Sequence, residues 1–180
     1  RALIGMGGDK LVRAVTGLDV EHGRGKELAG RRMERFRRHY LPSLCPTPGA
    51  HDLVLRMKAD DLRLVIATSA REQELNELLE QAGLSELIRR RTTSDDAEDS
   101  KPDPDIVHAA LRRGELAPEA TVMLGDTPYD VEAAERASVR TIALRCGGWW
   151  ADDALGGAIA IYDDPAELVH DYTRSPLGER

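Results

Sequence analysis

Two aspartates stand where a short apolar run gives way to an alanine-rich stretch, in the segment VMLGDTPYDVEAA at residues 122–134. Asp126 and Asp130 lie four residues apart, directly after a predicted strand. Carboxylate oxygens are ligands that Mg²⁺ prefers, and because this ion keeps several waters, one or two protein carboxylates suffice. Singly, Asp126 could instead cap the following helix, and Asp130 could be a first-turn acid favoured by the helix dipole.

A hydroxyl and a lysine occupy two comparable positions earlier in the chain. Thr68 ends the apolar run LRLVIAT, and Ser69 follows it before a predicted helix, where backbone N–H groups suit an anion such as phosphate. Lys101 stands directly before Pro102, which disfavours helical backbone at the lysine and so places it at the entrance to a helix. Such a lysine can neutralise a bound anion or a carboxylate. Taken alone, Thr68 is more often a helix cap, and Lys101 is more often a solvated surface residue.

The elements that must position these side chains alternate between strand and helix. Strand-like apolar runs occupy residues 62–68, 87–93, 121–125, 140–144 and 158–162, and helical patterns occupy residues 51–61, 71–84, 103–114, 129–138 and 164–173. The helix at residues 71–84 is predicted to stop at Gly83, and the helix at residues 103–114 to end at Gly114. Such alternation predicts an α/β fold with a parallel sheet covered by helices on both faces. Ligands of these sheets bind beyond the carboxyl ends of the strands, so the hydroxyl, the lysine and the two carboxylates are expected to meet in one cleft.

The N-terminal quarter has a different pattern. In KELAGRRMERFRRHYL, residues 26–41, apolar side chains recur at helical spacing with arginines between them, which favours a helix with a solvated basic face over an anion site. The proline-rich segment LPSLCPTPGA, residues 41–50, is the clearest linker in the chain. We therefore predict two parts, a helical region at residues 1–46 and an α/β region at residues 47–180.

Composition narrows the classes of protein. The chain has 180 residues, 41% of them hydrophobic and 32% charged, which fits a globular domain with or without a small appendage. Its net charge of −7 argues against nucleic acid or an anionic membrane as a partner. Cys45 and Cys146 form no CxxC pattern, so neither a disulfide framework nor a zinc site is predicted. With no signal peptide or transmembrane run visible, we expect a cytoplasmic monomer or homodimer.

Together these stretches resemble the motifs of the haloacid dehalogenase superfamily of phosphohydrolases. VIATSA resembles the second motif, which implies that Thr68 is the phosphate-binding hydroxyl and Ser69 a backbone donor. SKPDPD resembles the third motif, with Lys101 as the cation that holds the phosphoryl group. LGDTPYD resembles the fourth motif, with Asp126 as a direct Mg²⁺ ligand and Asp130 as an acid that supports the metal or Lys101.

The resemblance covers nearly the whole chain and implies a Rossmann-like core with a small helical cap inserted after the first strand. LIGMGGDKL, residues 3–11, looks like the cap loop that faces the site in this family. Residues 42–49 then look like the hinge between the cap and the core. In this interpretation, residues 1–46 are a partial cap.

The first motif of the family, an apolar strand that ends in Asp-x-Asp, is absent. In the family its first aspartate attacks phosphorus and its second handles the leaving-group proton. No substitute has both the strand and the spacing; the pairs considered are Asp103 with Asp105, Asp152 with Asp153 and Asp163 with Asp164, and also Asp9 alone. Because this strand is central in the family's sheet, its absence would leave two neighbouring strands without a partner. The chain also opens at Arg1, so we expect a fragment whose nucleophile lies upstream and which is inactive as given.

The resemblance implies a Mg²⁺-dependent hydrolase of a small phosphorylated metabolite that works through an aspartyl-phosphate. Three alternatives stay open. A phosphosugar mutase of the same family uses the same site, a metal-free haloacid dehalogenase is disfavoured by the acids of GDxxxD, and a catalytically inert α/β module would also fold. An upstream Asp-x-Asp after four or five apolar residues would separate an enzyme from an inert relative.

Overall fold

The computed structural model describes residues 3–178. The first two residues of the predicted cap region, 1 and 2, lie outside the described residues, as do the last two of the predicted core region, 179 and 180. The helices are α1 (Gly8–Thr16), α2 (Gly23–His39), α3 (Ala50–Ala59), α4 (Glu72–Gln81), α5 (Asp105–Gly114), α6 (Pro128–Arg136) and α7 (Pro165–His170). The strands are β1 (Val65–Ala67), β2 (Arg90–Thr92), β3 (Val122–Gly125), β4 (Arg140–Leu144) and β5 (Ala160–Tyr162). From α3 onward the order of elements confirms the predicted α/β fold.

All strand pairs are parallel, but the strands form two sheets instead of one. β1 pairs with β2, and β4 lies between β3 and β5 in a separate sheet. In the first sheet Ile66 lies opposite Arg91, and in the second Leu124 lies opposite Ile142. β1 and β3 are therefore each paired on one side only.

The same two layers of helices cover both sheets, which places the sheets side by side. On one face, side chains of α3 and α7 pack with Leu64, just before β1, and with Leu124 of β3. On the other face, α5 and α6 pack with Ala67 of β1 and Met123 of β3. β1 and β3 therefore border one space, which we call the sheet gap.

Burial along the strands agrees with this arrangement. Every residue of β1 and β3 is only half-buried, whereas all of β4 after Arg140 is buried. Ile142 and Ala143 of β4 have no exposed surface. The sheet gap is what a core that lacks one central strand is expected to show.

The N-terminal region is helical, as predicted. α1 and α2 are joined by a tight turn in which a Cβ on Gly25 would lie 1.8 Å from the carbonyl oxygen of Asp19, so only glycine fits there. Gly25 is the one buried residue of α2. A short 3₁₀ turn at Leu41–Ser43 and an extended segment then lead to α3. The boundary between two regions near residue 46 stays a prediction.

Two helix ends test the predicted stops. Gly83 follows the last turn of α4 with a φ of +68°, as predicted for a helix-stopping glycine. α5 ends at Gly114 as predicted, and Glu115 after it takes the left-handed conformation with φ +52°. Gly114 is needed for packing, because a Cβ there would lie 2.7 Å from the Val65 side chain. Within residues 3–178 no helix is both long enough and apolar enough to cross a membrane.

Candidate active site

The loop after β3 is held by a reciprocal cap at the start of α6. Thr127 is the N-cap residue, and its hydroxyl accepts a hydrogen bond from the Asp130 N–H at 3.3 Å. The Asp130 carboxylate accepts in return from the Thr127 N–H at 3.1 Å. Thr127, and not Asp126, thus caps the helix, which leaves the Asp126 carboxylate free of that task.

Asp130 is buried and bonded through both carboxylate oxygens. Oδ2 accepts from the N–H of Asp126 at 3.1 Å and from the Thr127 hydroxyl at 2.8 Å, in addition to the Thr127 N–H. Oδ1 accepts from Lys101 Nζ at 2.7 Å. The two side chains are 13% exposed for Lys101 and 7% exposed for Asp130, so Lys101 is not a solvated surface lysine.

Asp126 differs from Asp130 in its surroundings. The residue is exposed at the carboxyl end of β3. Partial desolvation, and then the negative charge of Asp130, raise the pKa of Asp126, while the charge of Lys101 partly offsets them. The loop after β4 comes close on one side, because a Cβ on Gly147 would lie 2.5 Å from Asp126 Oδ2.

The donor set at this position suits Mg²⁺. A nearby cation stabilises the ionised form of an accessible carboxylate whose pKa is raised. Mg²⁺ completes its coordination shell with water, so it needs few such carboxylates. Asp130 accepts hydrogen bonds from Lys101 and from the loop after β3, and so fixes the position of both. A direct role of Asp130 as a metal ligand stays a prediction. Among residues 3–178, no group of three or more His, Cys, Asp or Glu side chains could hold a metal ion.

Thr68 and Ser69 lie at the end of β1, on the other side of the sheet gap. The Thr68 N–H donates to the Thr92 carbonyl at 3.2 Å, and its hydroxyl accepts from the Ala70 N–H at 3.1 Å. Because Arg71 is the N-cap of α4, Thr68 is not a plain helix cap. Ser69 Oγ is buried with no hydrogen-bond partner among the described residues, so an acceptor or donor is needed there.

The predicted site residues thus form two groups. Lys101, Asp126 and Asp130 come together at the end of β3, as their contacts show. Thr68 and Ser69 line a cavity of about 1170 Å³ between the N-terminal helices and the end of β1. Lys101 and Asp126 do not belong to the described lining of that cavity, and Ser100 is the lining residue nearest to Lys101 in sequence.

The other carboxylates considered as nucleophiles are engaged elsewhere. Asp9 accepts from Ser100 Oγ at 2.6 Å. Asp152 and Asp163 both bind Arg145 at 2.7 Å. These contacts explain their presence without a catalytic role.

Sequence reasoning missed the capping role of Thr127. The signal was present, because Thr127, Pro128 and Asp130 match a capping box with proline at the first helical position. Asp126, the residue considered as a possible cap from the sequence, stands one position before the true N-cap.

Changing Asp126 to asparagine should raise the melting temperature of the metal-free protein at pH 7. A raised pKa in the folded state means that the folded protein loses stability as the pH rises from about 3.8 through that pKa. Water reaches the carboxylate, so the gain should be modest. Thermal unfolding in EDTA, with Asp52→Asn on the exposed surface of α3 as the control, measures it. An equal or lower melting temperature for Asp126→Asn would contradict the prediction.

Known proteins match most of the chain. A family model described as haloacid dehalogenase-like hydrolase matches residues 1–144. A phosphoglycolate phosphatase of Rhodospirillum rubrum is 33% identical over 141 residues, which cover 76% of this chain and 58% of that protein. Phosphoglycolate phosphatase 1 of Pseudomonas aeruginosa is 30% identical over 151 residues, covering 82% of this chain and 56% of that protein. The chain therefore spans a little over half the length of these relatives.

Solved structures agree with the sequence matches. A hydrolase from Pseudomonas syringae superimposes with a TM-score of 0.82 at 25% identity, covering 96% of this chain and 79% of that one. CbbY from Rhodobacter sphaeroides, in complex with xylulose-1,5-bisphosphate, gives a TM-score of 0.78 at 25% identity, covering 92% and 76%.

Proposed function

Since the chain belongs to the haloacid dehalogenase-like hydrolase family, we propose that it carries the phosphate-binding and magnesium-binding parts of a phosphatase. Its substrate is a small phosphorylated metabolite. Phosphoglycolate phosphatases are among its relatives, so a short phosphorylated acid is the first substrate to try.

The observation that carries the proposal is the Lys101–Asp130–Asp126 arrangement at the end of β3. A half-buried lysine bonded to a buried carboxylate stands beside a second, exposed carboxylate. Burying an ion pair is costly, so a structural role alone is a weak reason to keep one here. Phosphoryl transfer, in contrast, depends mainly on fixed charges that stabilise the transferring group.

The sheet gap supports a proposal for the nucleophile. An extended parallel segment between β1 and β3 would pair with the free edges of both strands. Its carboxyl end would then lie between Thr68 and Asp126, where the resemblance requires an Asp-x-Asp. We assign the nucleophile to such a segment, outside the 180 residues of the chain.

In this mechanism the residues of the chain bind the phosphoryl group and balance its charge. The Thr68 hydroxyl, together with Ser69, donates hydrogen bonds to phosphoryl oxygens. Lys101 holds a phosphoryl oxygen and balances the charge of the nucleophile, and Asp130 fixes the ammonium group in place. Asp126 would bind Mg²⁺, which when bound neutralises charge on the phosphoryl group. The second aspartate of the added segment gives a proton to the leaving group, an aspartyl-phosphate forms, and water hydrolyses it.

The test compares three proteins for release of inorganic phosphate with and without Mg²⁺. The first is the 180-residue chain, the second is a form extended at its N-terminus by an apolar strand that ends in Asp-x-Asp, and the third carries the same extension with both aspartates changed to asparagine. The substrates are phosphoglycolate, sugar phosphates and an aryl phosphate. We expect Mg²⁺-dependent release from the second protein alone.

The other outcomes point to the alternatives. Equal release by all three proteins would place a nucleophile within these 180 residues. Return of the phosphate to a sugar, without release, would indicate a mutase. No reaction on any substrate would favour an inert module.

A further inference from the structure

The segment that carries Lys101 is held from the N-terminal region by two neighbouring residues. Ser100 Oγ donates to Asp9 Oδ1 at 2.6 Å, and Lys10 Nζ donates to the Ser100 carbonyl at 2.6 Å. Lys10 also binds the Asp103 carboxylate. One turn of α1 thus fixes Ser100, before Lys101, and Asp103, after it. About 90 positions separate this turn from the Lys101 segment in sequence.

These contacts are sheltered from water. Ser100 is 7% exposed, and the Lys10 side chain is 25% exposed. An ion pair that joins the N-terminal region to the loop after β1, Arg71 with Glu21, has side chains 59% and 63% exposed. Exposed pairs contribute little to stability, so the two kinds of contact are not equivalent.

The glycines of residues 5–8 allow this close approach. A Cβ on Gly7 would lie 2.1 Å from Ser100 Oγ, so any other residue would push the two segments apart. A Cβ on Gly5 would lie 2.3 Å from the Thr127 side chain, and Gly5 has a φ of +96° that favours glycine. The loop therefore lies against the segments that carry Lys101 and Asp126, with no room for side chains between them.

Asp103 extends the connection to the far end of α6. Arg136 Nη1 donates to Asp103 Oδ1 at 3.2 Å, while Lys10 binds Oδ2. The hydrogen bond from Lys10 lowers the pKa of Asp103, with further help from the charges of Lys10 and Arg136. Asp103 is therefore ionised across the neutral pH range and keeps its ion pair with Lys10.

We propose that Asp9 and Lys10 are positioning residues for Lys101. By holding Ser100 and Asp103 they fix the backbone on both sides of Lys101, and this keeps its ammonium group against Asp130. Movement of α1 away from the core would remove both restraints, so the position of the N-terminal helices controls the placement of the lysine. The catalytic consequence rests on the proposed function, but the placement itself does not.

Trace acetylation of lysines, read by mass spectrometry, tests the placement in the 180-residue chain without any assay of activity. Lys101 should be protected by its ion pair, and Lys58, which bonds the Leu87 carbonyl elsewhere on the surface, is the internal reference. Lys10→Met and Asp9→Ala should each raise the labelling of Lys101 relative to Lys58 by about 5- to 30-fold, the change in population that corresponds to losing one or two contacts. Lys10→Arg should restore most of the protection.

The matched control is Glu21→Gln, which breaks the exposed ion pair with Arg71 and should leave Lys101 labelling unchanged. Unchanged labelling of Lys101 in both Lys10→Met and Asp9→Ala would overturn the proposal. An equal rise at Lys58 and Lys101 would also overturn it, because that result indicates general loosening of the fold.

A second measurement separates this inference from the proposed function. In the extended form with Asp-x-Asp, Lys10→Met should lower kcat by a similar factor and change KM much less, since Lys101 acts on the transferring group. If the extended form proves inactive on every substrate, the proposed function fails while the labelling result still decides the inference. If it is active and Lys10→Met changes only KM, the positioning role is wrong.

Discussion

Replacing Lys101 with methionine should lower the free energy of unfolding by about 3–5 kcal/mol, because the buried Asp130 carboxylate loses its cation. Methionine keeps the length of the side chain and removes the charge. Asp130 cannot turn to water, since its other oxygen is held by the backbone N–H groups of Asp126 and Thr127. Urea unfolding of the 180-residue chain, monitored by circular dichroism, measures the change.

Two further variants show whether the ion pair is the cause. Lys58→Met removes an exposed lysine from α3 and should change stability by less than about 0.5 kcal/mol. Lys101→Met combined with Asp130→Asn should be more stable than the sum of the single changes predicts, because the uncompensated charge is gone. A loss below about 1 kcal/mol in Lys101→Met would mean that water or another group already neutralises Asp130.

Changing Asp126 to alanine in the extended form with Asp-x-Asp should abolish Mg²⁺-dependent phosphate release. A metal ion at a phosphoryl group is worth several kcal/mol in the transition state, so turnover should fall by about 10²-fold or more. The protein should stay folded, because the cap of α6 uses Thr127 and Asp130 and not the Asp126 side chain. Phosphate release over a range of Mg²⁺ concentrations measures the effect.

Asp52→Ala, which removes an exposed carboxylate from α3, is the control and should retain full turnover. Binding of Mg²⁺ by calorimetry provides a readout that does not depend on chemistry. If Asp126→Ala keeps both Mg²⁺ binding and turnover, the metal site lies elsewhere and the assignment of Asp126 is wrong.

The sequence predicted the fold well where local pattern decides it. Alternation of short apolar runs with amphipathic helices placed α3 to α7 and all five strands in the right order. The proximity of Lys101 to Asp130 followed from the rule that the carboxyl ends of parallel strands share one edge. The lengths of the strands did not follow, since the apolar run at residues 62–68 yields only three residues of β1. Hydrogen bonds to a neighbouring strand define those lengths, and β1 has such a neighbour on one side only.

The contacts of Asp9 and Lys10 lay beyond sequence reasoning for a different reason. Both residues were placed in a loop near the site, but their partners lie about 90 residues away, and packing alone decides which atoms meet. The separation of Thr68 from Lys101 was also unforeseen in detail. Thr68 follows β1 and Lys101 precedes α5, as predicted, yet Lys101 bonds Asp130 beyond the end of β3, which lies across the sheet gap from β1.

The free edges of β1 and β3 should also govern how the chain behaves at high concentration. A row of unpaired N–H and C=O groups is a template for any extended segment, including one from another copy of the same chain. Dilute samples should therefore stay dispersed, while concentrated ones should form oligomers that scatter light. A short peptide with the pattern of a buried strand should keep the protein in solution by occupying the edges first, and a peptide of the same composition in scrambled order should not.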